Sequence, residues 1–454
     1  MGILIHKLSS YLPISYIFSF FHQEEQAVFL HTSLQTMHEH YSVIGLNPYL
    51  VVESRDGLYV NHKKMKQSFF SFMKKYFQKH FQPNPTSFPL ICGAIGYFSY
   101  DFGRDLQNIF TRHADFYRIP NVKLVFYDNF IIENHKEKEV YLLANGKLLP
   151  THQSIEQIET RIRNEAAKRS EFSFKLKPQI PFSIEYSCSR EAYISAIEQM
   201  RQYMENGHIY VANLTQTLKL TSPKSPFAVF QTLQKINPAS FAAYLNLDEF
   251  QIICASPERF IKIKDRQIQT SPIKGTRKRG RTPEEDAILK KELQTSEKDR
   301  SELLMIIDLE RNDLNKVCIP GSVTVPRLFD IETYATVFHL VSDVQGMLKN
   351  GIDTMDVLKA AFPGGSITGA PKKRAMEIID ALETGRRGIY TGCIGYLSLN
   401  GDCDFNIVIR TLLHKEDQYY LGVGGGITYE SDPTFEYDET LQKAKALIEA
   451  LKKD

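Results

Sequence analysis

Two spacings of apolar residues alternate along the chain. Runs with apolar side chains at every second position, rich in Val, Ile, Tyr and Phe, predict strands. They fall at 49–52, 58–60, 122–127, 130–133, 208–220, 251–254, 260–264, 267–270, 392–399, 405–414 and 419–423. Stretches with a three-to-four-residue spacing predict helices. One covers 154–169. Another opens at Ser189, carries Ile194, Ile197, Met200 and Met204 on one stripe, and closes at Gly207. Thr282-Pro283-Glu284-Glu285 reads as a capping box with proline at the first helical position. Ser296 starts SEKDRSELLMIIDLERNDL, and a last helix follows Asp432-Pro433. Strands in runs, with helices between only some of them, predict an α+β fold of antiparallel sheets, not a strict βαβ repeat. EFSFKLKPQIPF (171–182) has two prolines and no helical period. The expected division is a region at 1–170, a link at 171–186 and a second region at 187–454.

Composition narrows the classes of function. The 454 residues carry a formal net charge of +2, so no global field attracts DNA, RNA or a membrane surface. The densest basic run, SPIKGTRKRG (271–280) with Arg281, is answered at once by Glu284, Glu285 and Asp286. A nucleic-acid partner is therefore not expected. Six scattered cysteines form no CxxC, and thirteen histidines form no HExxH. That predicts free thiols in a reducing, cytoplasmic setting. The uncharged stretch 8–22 follows Lys7, but Pro13 and four serines dilute it and no A-x-A-like site follows, which argues against a secretion signal. No 18-residue apolar run exists, so no membrane span is expected.

Several groups could carry chemistry. Asp299 and Glu302 are three apart on a predicted helix, and Glu436, Glu439 and Lys443 are three and four apart on the last one. Each set lies on one helix face. Either the pairs meet around a hard cation such as Mg²⁺, or they are solvated faces with local ion pairs. FPGGSITGAPKKR (362–374) suggests a phosphate loop, but Ala370 stands where the lysine is required. GVGGGIT (422–428) either lets backbone N–H groups approach an anion or is a plain glycine turn. Lys274 sits between Ile273 and Gly275 after a strand-like run. A lysine nucleophile must be neutral part of the time, which desolvation or a cation such as Arg277 favours. The competing reading is a surface lysine in a basic turn.

Together these stretches resemble one family, the chorismate-utilising enzymes. The resemblance is carried by ASPERF (255–260), SPIKGTRKRG (271–280), KDRSELLMIIDLERNDL (298–314), TYATVFHLVSDV (333–344), FPGGSITGAPK (362–372), GIYTGCIGY (388–396), FNIVIRTL (405–412), GVGGGIT (422–428) and an ExxETxxK pattern at 436–443. CGAIGYFSYDFGRDL (92–106) looks like a stretch of the amine-forming members, and 29–48 resembles their tryptophan-binding segment. The resemblance implies two antiparallel sheets packed together and flanked by helices, with the N-terminal region in the same body. It implies Mg²⁺ held by Glu302 and Glu439, with Asp299 and Glu436 supporting through water. It places Arg410, Tyr390 and the amides of Gly424, Gly425 and Gly426 at the enolpyruvyl carboxylate, with Gly275, Thr276, Ser366 and Lys443 lining the pocket. Glu258 is the implied general acid, and His339 lines the site.

Lysine at 274 and serine at 366 resemble the branch that aminates chorismate at C4, where the anthranilate-forming branch carries alanine and threonine. In that branch the lysine amine attacks C2 and is then displaced by ammonia at C4. Val211 stands where hydroxylating members carry lysine, which speaks against hydroxylation. The chain has no glutaminase motif, so the resemblance implies a glutamine amidotransferase subunit in a heterodimer as the ammonia source.

Overall fold

The computed structural model describes residues 2–33, 40–168, 181–334 and 337–452. Every strand pairing among them is antiparallel. Two arcs share a pair of long strands, Tyr41–Ser54 and Val122–Asn134, which pair along their whole length with a register shift between Pro48 and Leu50. One half of Val122–Asn134 pairs with Glu139–Ala144 and the other half with Gly93–Phe98. That division sends the ladder in two directions.

The first arc runs from Tyr41–Ser54 through Val28–His31, Phe241–Asn246, Phe250–Ser256, Thr411–Lys415 and Gln418–Ile427 to Val211–Thr221. The second runs from Gly93–Phe98 through Cys393–Ser398, Cys403–Asn406, Arg259–Lys264 and Gln267–Ser271 to Val337–Met347. That last strand also pairs with Ile273–Lys278 and Thr324–Thr333. The N-terminal strands are thus built into the same ladder as the rest of the chain.

Period-two alternation explains the layering. Val43, Ala243, Leu245 and Ile252 point into one apolar cluster that also holds Ile95, Leu124, Ile261 and Ile394 of the second arc. Their neighbours Ile44, Ala242, Tyr244 and Ile253 point the other way. They pack under the helices Ile14–Phe18, Thr151–Ala167, Pro226–Ile236 and Pro433–Lys452.

Local expectations meet three differences. The predicted strand 405–414 is interrupted between Cys403–Asn406 and Thr411–Lys415, where Arg410 takes a left-handed φ of 49°. The last four residues of the expected link form the strand Ser183–Tyr186, paired with Val211–Thr221, while residues 169–180 lie outside the described residues. The capping box is half made: Thr282 accepts from the Glu285 amide, but the Glu285 carboxylate accepts from the Arg281 amide, one residue earlier than the box requires.

Candidate active site

Five elements converge on one cavity of about 540 Å³. Its floor is the ladder of Val211–Thr221 and Gln418–Ile427. Around it stand Ile273–Lys278, the helix Glu297–Val317, the helix Pro433–Lys452 and the turn before Thr411. The candidate catalytic, substrate-binding and metal-holding residues read from the sequence all line this cavity. Lys274, Glu258 and His339 are there, as are Gly275, Thr276, Ser366, Tyr390, Arg410, Gly424, Gly425, Gly426 and Lys443. So are Asp299, Glu302, Glu436 and Glu439, brought from two helices far apart in sequence.

The glycines give the floor its shape. A Cβ on Gly426 would stand 3.6 Å from the Lys274 Nζ. One on Gly425 would lie 3.2 Å from Glu436 Oε2 and 3.6 Å from both Glu439 Oε2 and Lys443 Nζ. The bare backbone therefore leaves room for a ligand between the lysine and the acidic helix. Gly275 has φ +70° and a Cβ there would meet Asp299 at 2.7 Å, so this turn needs glycine on both counts.

Burial sets the electrostatics. Glu258 is 7% exposed, and its carboxyl holds its proton to higher pH than an ordinary glutamate because it is desolvated. The Ser366 hydrogen bond and the Lys274, Arg410 and Lys443 charges oppose that shift. Burial also raises Glu302 and Glu436, with the Glu439 charge adding to both. Arg410 is pushed down by burial and held back by Glu258. His339 is lowered to about 4 by burial and the Arg410 charge, so it is neutral near pH 7. Its Nδ1 meets the Thr276 hydroxyl at 2.9 Å. Lys443 donates to the Gly424 carbonyl at 3.1 Å and lies 3.4 Å from Glu439. Arg277, a candidate cationic neighbour of Lys274, lines the same cavity and is tied to Glu292 at 2.8 Å and Asp299 at 3.1 Å. The Lys274 charge opposes the upward shift of both Glu258 and Glu302.

Among the described residues no three His, Cys, Asp or Glu side chains form a ready-made metal cage. The donor set still fits Mg²⁺. That ion takes one or two carboxylates and leaves its other positions to water and substrate oxygens. Glu302 and Glu439 come from facing helices, feel one another's charge and border the same cavity.

The sequence reading missed Asn213, Lys298 and Phe435, which also line the cavity. Asn213 was within reach of the alternation argument, being two residues beyond Val211 on the same strand face. Val211 itself is buried and does not line the cavity. A further missed residue is Glu310, half-buried on the Glu302 helix. It accepts a hydrogen bond from Thr270, and burial pushes its carboxyl up to about 8.

Carboxylates and cations from separate elements face one glycine-floored cavity. Comparison with known proteins gives the family. The chain matches the family described as chorismate binding enzyme over residues 26–449, and it belongs to that family. It is 37% identical to aminodeoxychorismate synthase component 1 of Bacillus subtilis, over 90% of this chain and 89% of that protein. It is 40% identical to the protein of the same name from Klebsiella aerogenes, over 82% and 79%. Anthranilate synthase component 1 of Acetivibrio thermocellus is 35% identical over 90% and 87%. Among solved structures, anthranilate synthase component I from Streptococcus pneumoniae superposes with a TM-score of 0.80 at 29% identity, over 91% of this chain and 93% of that one. The family fold expected from the sequence is the fold observed. No helix among the described residues is long and apolar enough to cross a membrane.

Proposed function

We propose that this chain aminates chorismate at C4 to give 4-amino-4-deoxychorismate, for para-aminobenzoate and folate synthesis, using ammonia from a glutamine amidotransferase subunit in a cytoplasmic heterodimer. Lys274 carries the reading. Its amine reaches over the glycine floor to the Gly426 position, in the field of the buried acid Glu258. Relatives named for C4 amination and for anthranilate formation match at comparable identity, so the choice between them rests on Lys274 and Ser366.

The steps follow from the positions of these side chains. The Lys274 amine bonds to C2 of the ring as the C4–O bond breaks. Glu258 gives its proton to the departing hydroxyl, which leaves as water. Its raised proton affinity suits an acid working near neutral pH. Ammonia then bonds to C4, the C2–N bond breaks, the lysine amine is restored, and the new C4 ammonium returns a proton to the Glu258 carboxylate. Two displacements retain the configuration at C4. Arg410 presents a planar fork to the enolpyruvyl carboxylate, supported by Tyr390 and the Gly424 to Gly426 amides. His339, neutral and tied to Thr276, lines the site without adding charge. Glu302 and Glu439, with Asp299 and Glu436 supporting through water, would hold Mg²⁺, which would neutralise the ring carboxylate and charge developing on it.

Tryptophan has a separate candidate place. A cavity of about 210 Å³ between the two arcs is lined by Leu30, His31, Tyr41, Phe88, Ala243 and Asn406, which includes part of the segment 29–48. Residues 34–39 of that segment lie outside the described residues.

The test of the main reading is product identity with chorismate, Mg²⁺ and an ammonium salt. C4 amination yields para-aminobenzoate only after a lyase is added. Fluorescent anthranilate from this chain alone overturns the assignment.

A further inference from the structure

The run FPGGSITGAPKKR (362–374) sends only its first half into the active site: Ser366 and Ile367 line the cavity, and Lys372 does not. Lys372 opens the helix Lys372–Leu382, whose N-terminus no side chain caps. A cation there meets the positive end of the helix dipole, so its own helix disfavours it. A residue that breaks a local rule in this way is held by partners elsewhere in the fold.

The Lys372 side chain is only 10% exposed, and its Nζ donates to three acceptors: the Asp313 carboxylate, the Ala361 carbonyl at 2.8 Å and the Pro363 carbonyl at 2.8 Å. An ammonium has three N–H donors, so all of them are used. The acceptors belong to three different segments. Asp313 lies on the helix Glu297–Val317, which also carries Asp299 and Glu302. Ala361 is the last residue of the helix Thr354–Ala361, an end where the dipole favours a cation. Pro363 begins the loop that presents Ser366. Desolvation presses the ammonium toward its neutral form, and the Asp313 carboxylate opposes that.

The loop between Pro363 and Ser366 contains two glycines, so its path depends on what grips its backbone. Thr368 donates to the Gly364 carbonyl at 2.8 Å, and Arg387 to the Ile367 carbonyl at 2.9 Å. Gly365 lies so close to the Glu302 helix that a Cβ would stand 2.7 Å from Leu309 Cδ2. Lys372 is the charged tie between that helix and the start of the loop. Ser366 in turn hydrogen-bonds Glu258, a contact that favours the carboxylate. When Glu258 gives up its proton, this hydroxyl steadies the charge left behind, because a hydrogen bond to an ionised acceptor is the stronger one. We propose that Lys372 is a positioning residue for the reaction: by tying the loop to the Glu302 helix, it holds the Ser366 hydroxyl on Glu258. The inference rests on Glu258 as the general acid, but not on which ring carbon receives the nitrogen.

The test is a double-mutant cycle of Lys372→Met and Ser366→Ala, read as chorismate consumed at saturating Mg²⁺ and ammonium chloride. Each single variant should lower kcat about tenfold, with the KM for chorismate within about threefold of wild type. The double variant should fall within about twofold of Ser366→Ala, because both changes act on one hydrogen bond. A tie that only supports the fold multiplies through instead, so a loss of about a hundredfold in the double variant overturns the proposal, as does a wild-type kcat in either single variant. Asp313 keeps Lys316 at 2.8 Å when Lys372 is replaced, so no unpaired charge is left buried. Should Lys372→Met still fail to fold, Asp313→Asn takes its place in the same cycle. Glu258→Gln, measured alongside, separates the two failures. A kcat there within about tenfold of wild type sinks the general-acid reading and this inference with it. A lost kcat there, with a multiplicative double variant, sinks the role of Lys372 alone.

Discussion

Replacing two neighbouring glycines of the floor by alanine should have opposite consequences. At Gly424 a Cβ would stand 2.4 Å from the Leu214 carbonyl oxygen and 2.7 Å from Thr215 Cγ2. The first is backbone of the paired strand, so the ladder must shift. Overpacking of this kind costs about 1–3 kcal/mol. Gly424→Ala should therefore lower Tm by a few degrees. At Gly426 the nearest atom is the end of the Lys274 side chain at 3.6 Å, an ordinary contact. The fold should tolerate that methyl, and Tm should stay near wild type. The methyl does occupy space beside the lysine amine where the ring is to lie. One extra methyl in a fitted pocket is worth about 1–3 kcal/mol, or roughly 10–200-fold in kcat/KM. The assay pairs thermal unfolding with steady-state amination of chorismate. Gly426→Ala with wild-type kcat/KM refutes the placement of substrate against this floor. Gly424→Ala with wild-type Tm refutes the argument from close strand approach.

Other outcomes follow from the same geometry. Glu258→Gln keeps the side-chain shape and should lower kcat about 10²–10⁴-fold with little change in Tm, the loss expected for a general acid; activity within tenfold of wild type would count against that role. Glu302→Gln should weaken Mg²⁺ binding by titration calorimetry in the presence of chorismate, whereas unchanged binding would remove Glu302 from the metal set. Glu310 has a folded pKa raised from 4.5 to about 8, so it contributes most below pH 4.5 and that contribution is lost as pH rises through 8. Glu310→Gln should gain relative stability between pH 5 and pH 8.5, by at most about 5 kcal/mol, and parallel denaturation midpoints for the two proteins would contradict the shift. Because the chain contains no tryptophan, added L-tryptophan that binds between the arcs should show indole emission surviving dialysis, and its complete removal would argue against that cavity as its place.

Much of the site was legible because its chemistry is concentrated in short runs. Asp299 with Glu302, and Glu436 with Glu439, announce one helix face each by spacing alone. Ser189 and Ser296 cap the helices they were expected to cap, each accepting from the amide three residues on. What could not be read is what depends on contact across the chain. Arg387 looks like one of two arginines in a loop, yet it joins Asn213, Ile367 and Glu383 in space. Glu310 looks like a solvated helix residue in LERNDL until burial is known. The break at Arg410 is equally silent. The alternation of FNIVIRTL favours a continuous strand, but the backbone turns at positive φ, and the arginine lines the cavity. Arg277, next but two to Lys274 in sequence, lines the same cavity, but its ion pairs with Glu292 and Asp299 could not be read from the sequence.

The central claim is that Lys274 directs the amine to C4. It is tested most directly by incubating wild type and Lys274→Ala with chorismate, Mg²⁺ and ammonium chloride, and assaying product with and without added lyase. The account predicts that wild type forms para-aminobenzoate only when lyase is present, that neither sample makes anthranilate without it, and that Lys274→Ala forms no C4-aminated product. Full C4 amination by Lys274→Ala, or lyase-independent anthranilate from wild type, would contradict it.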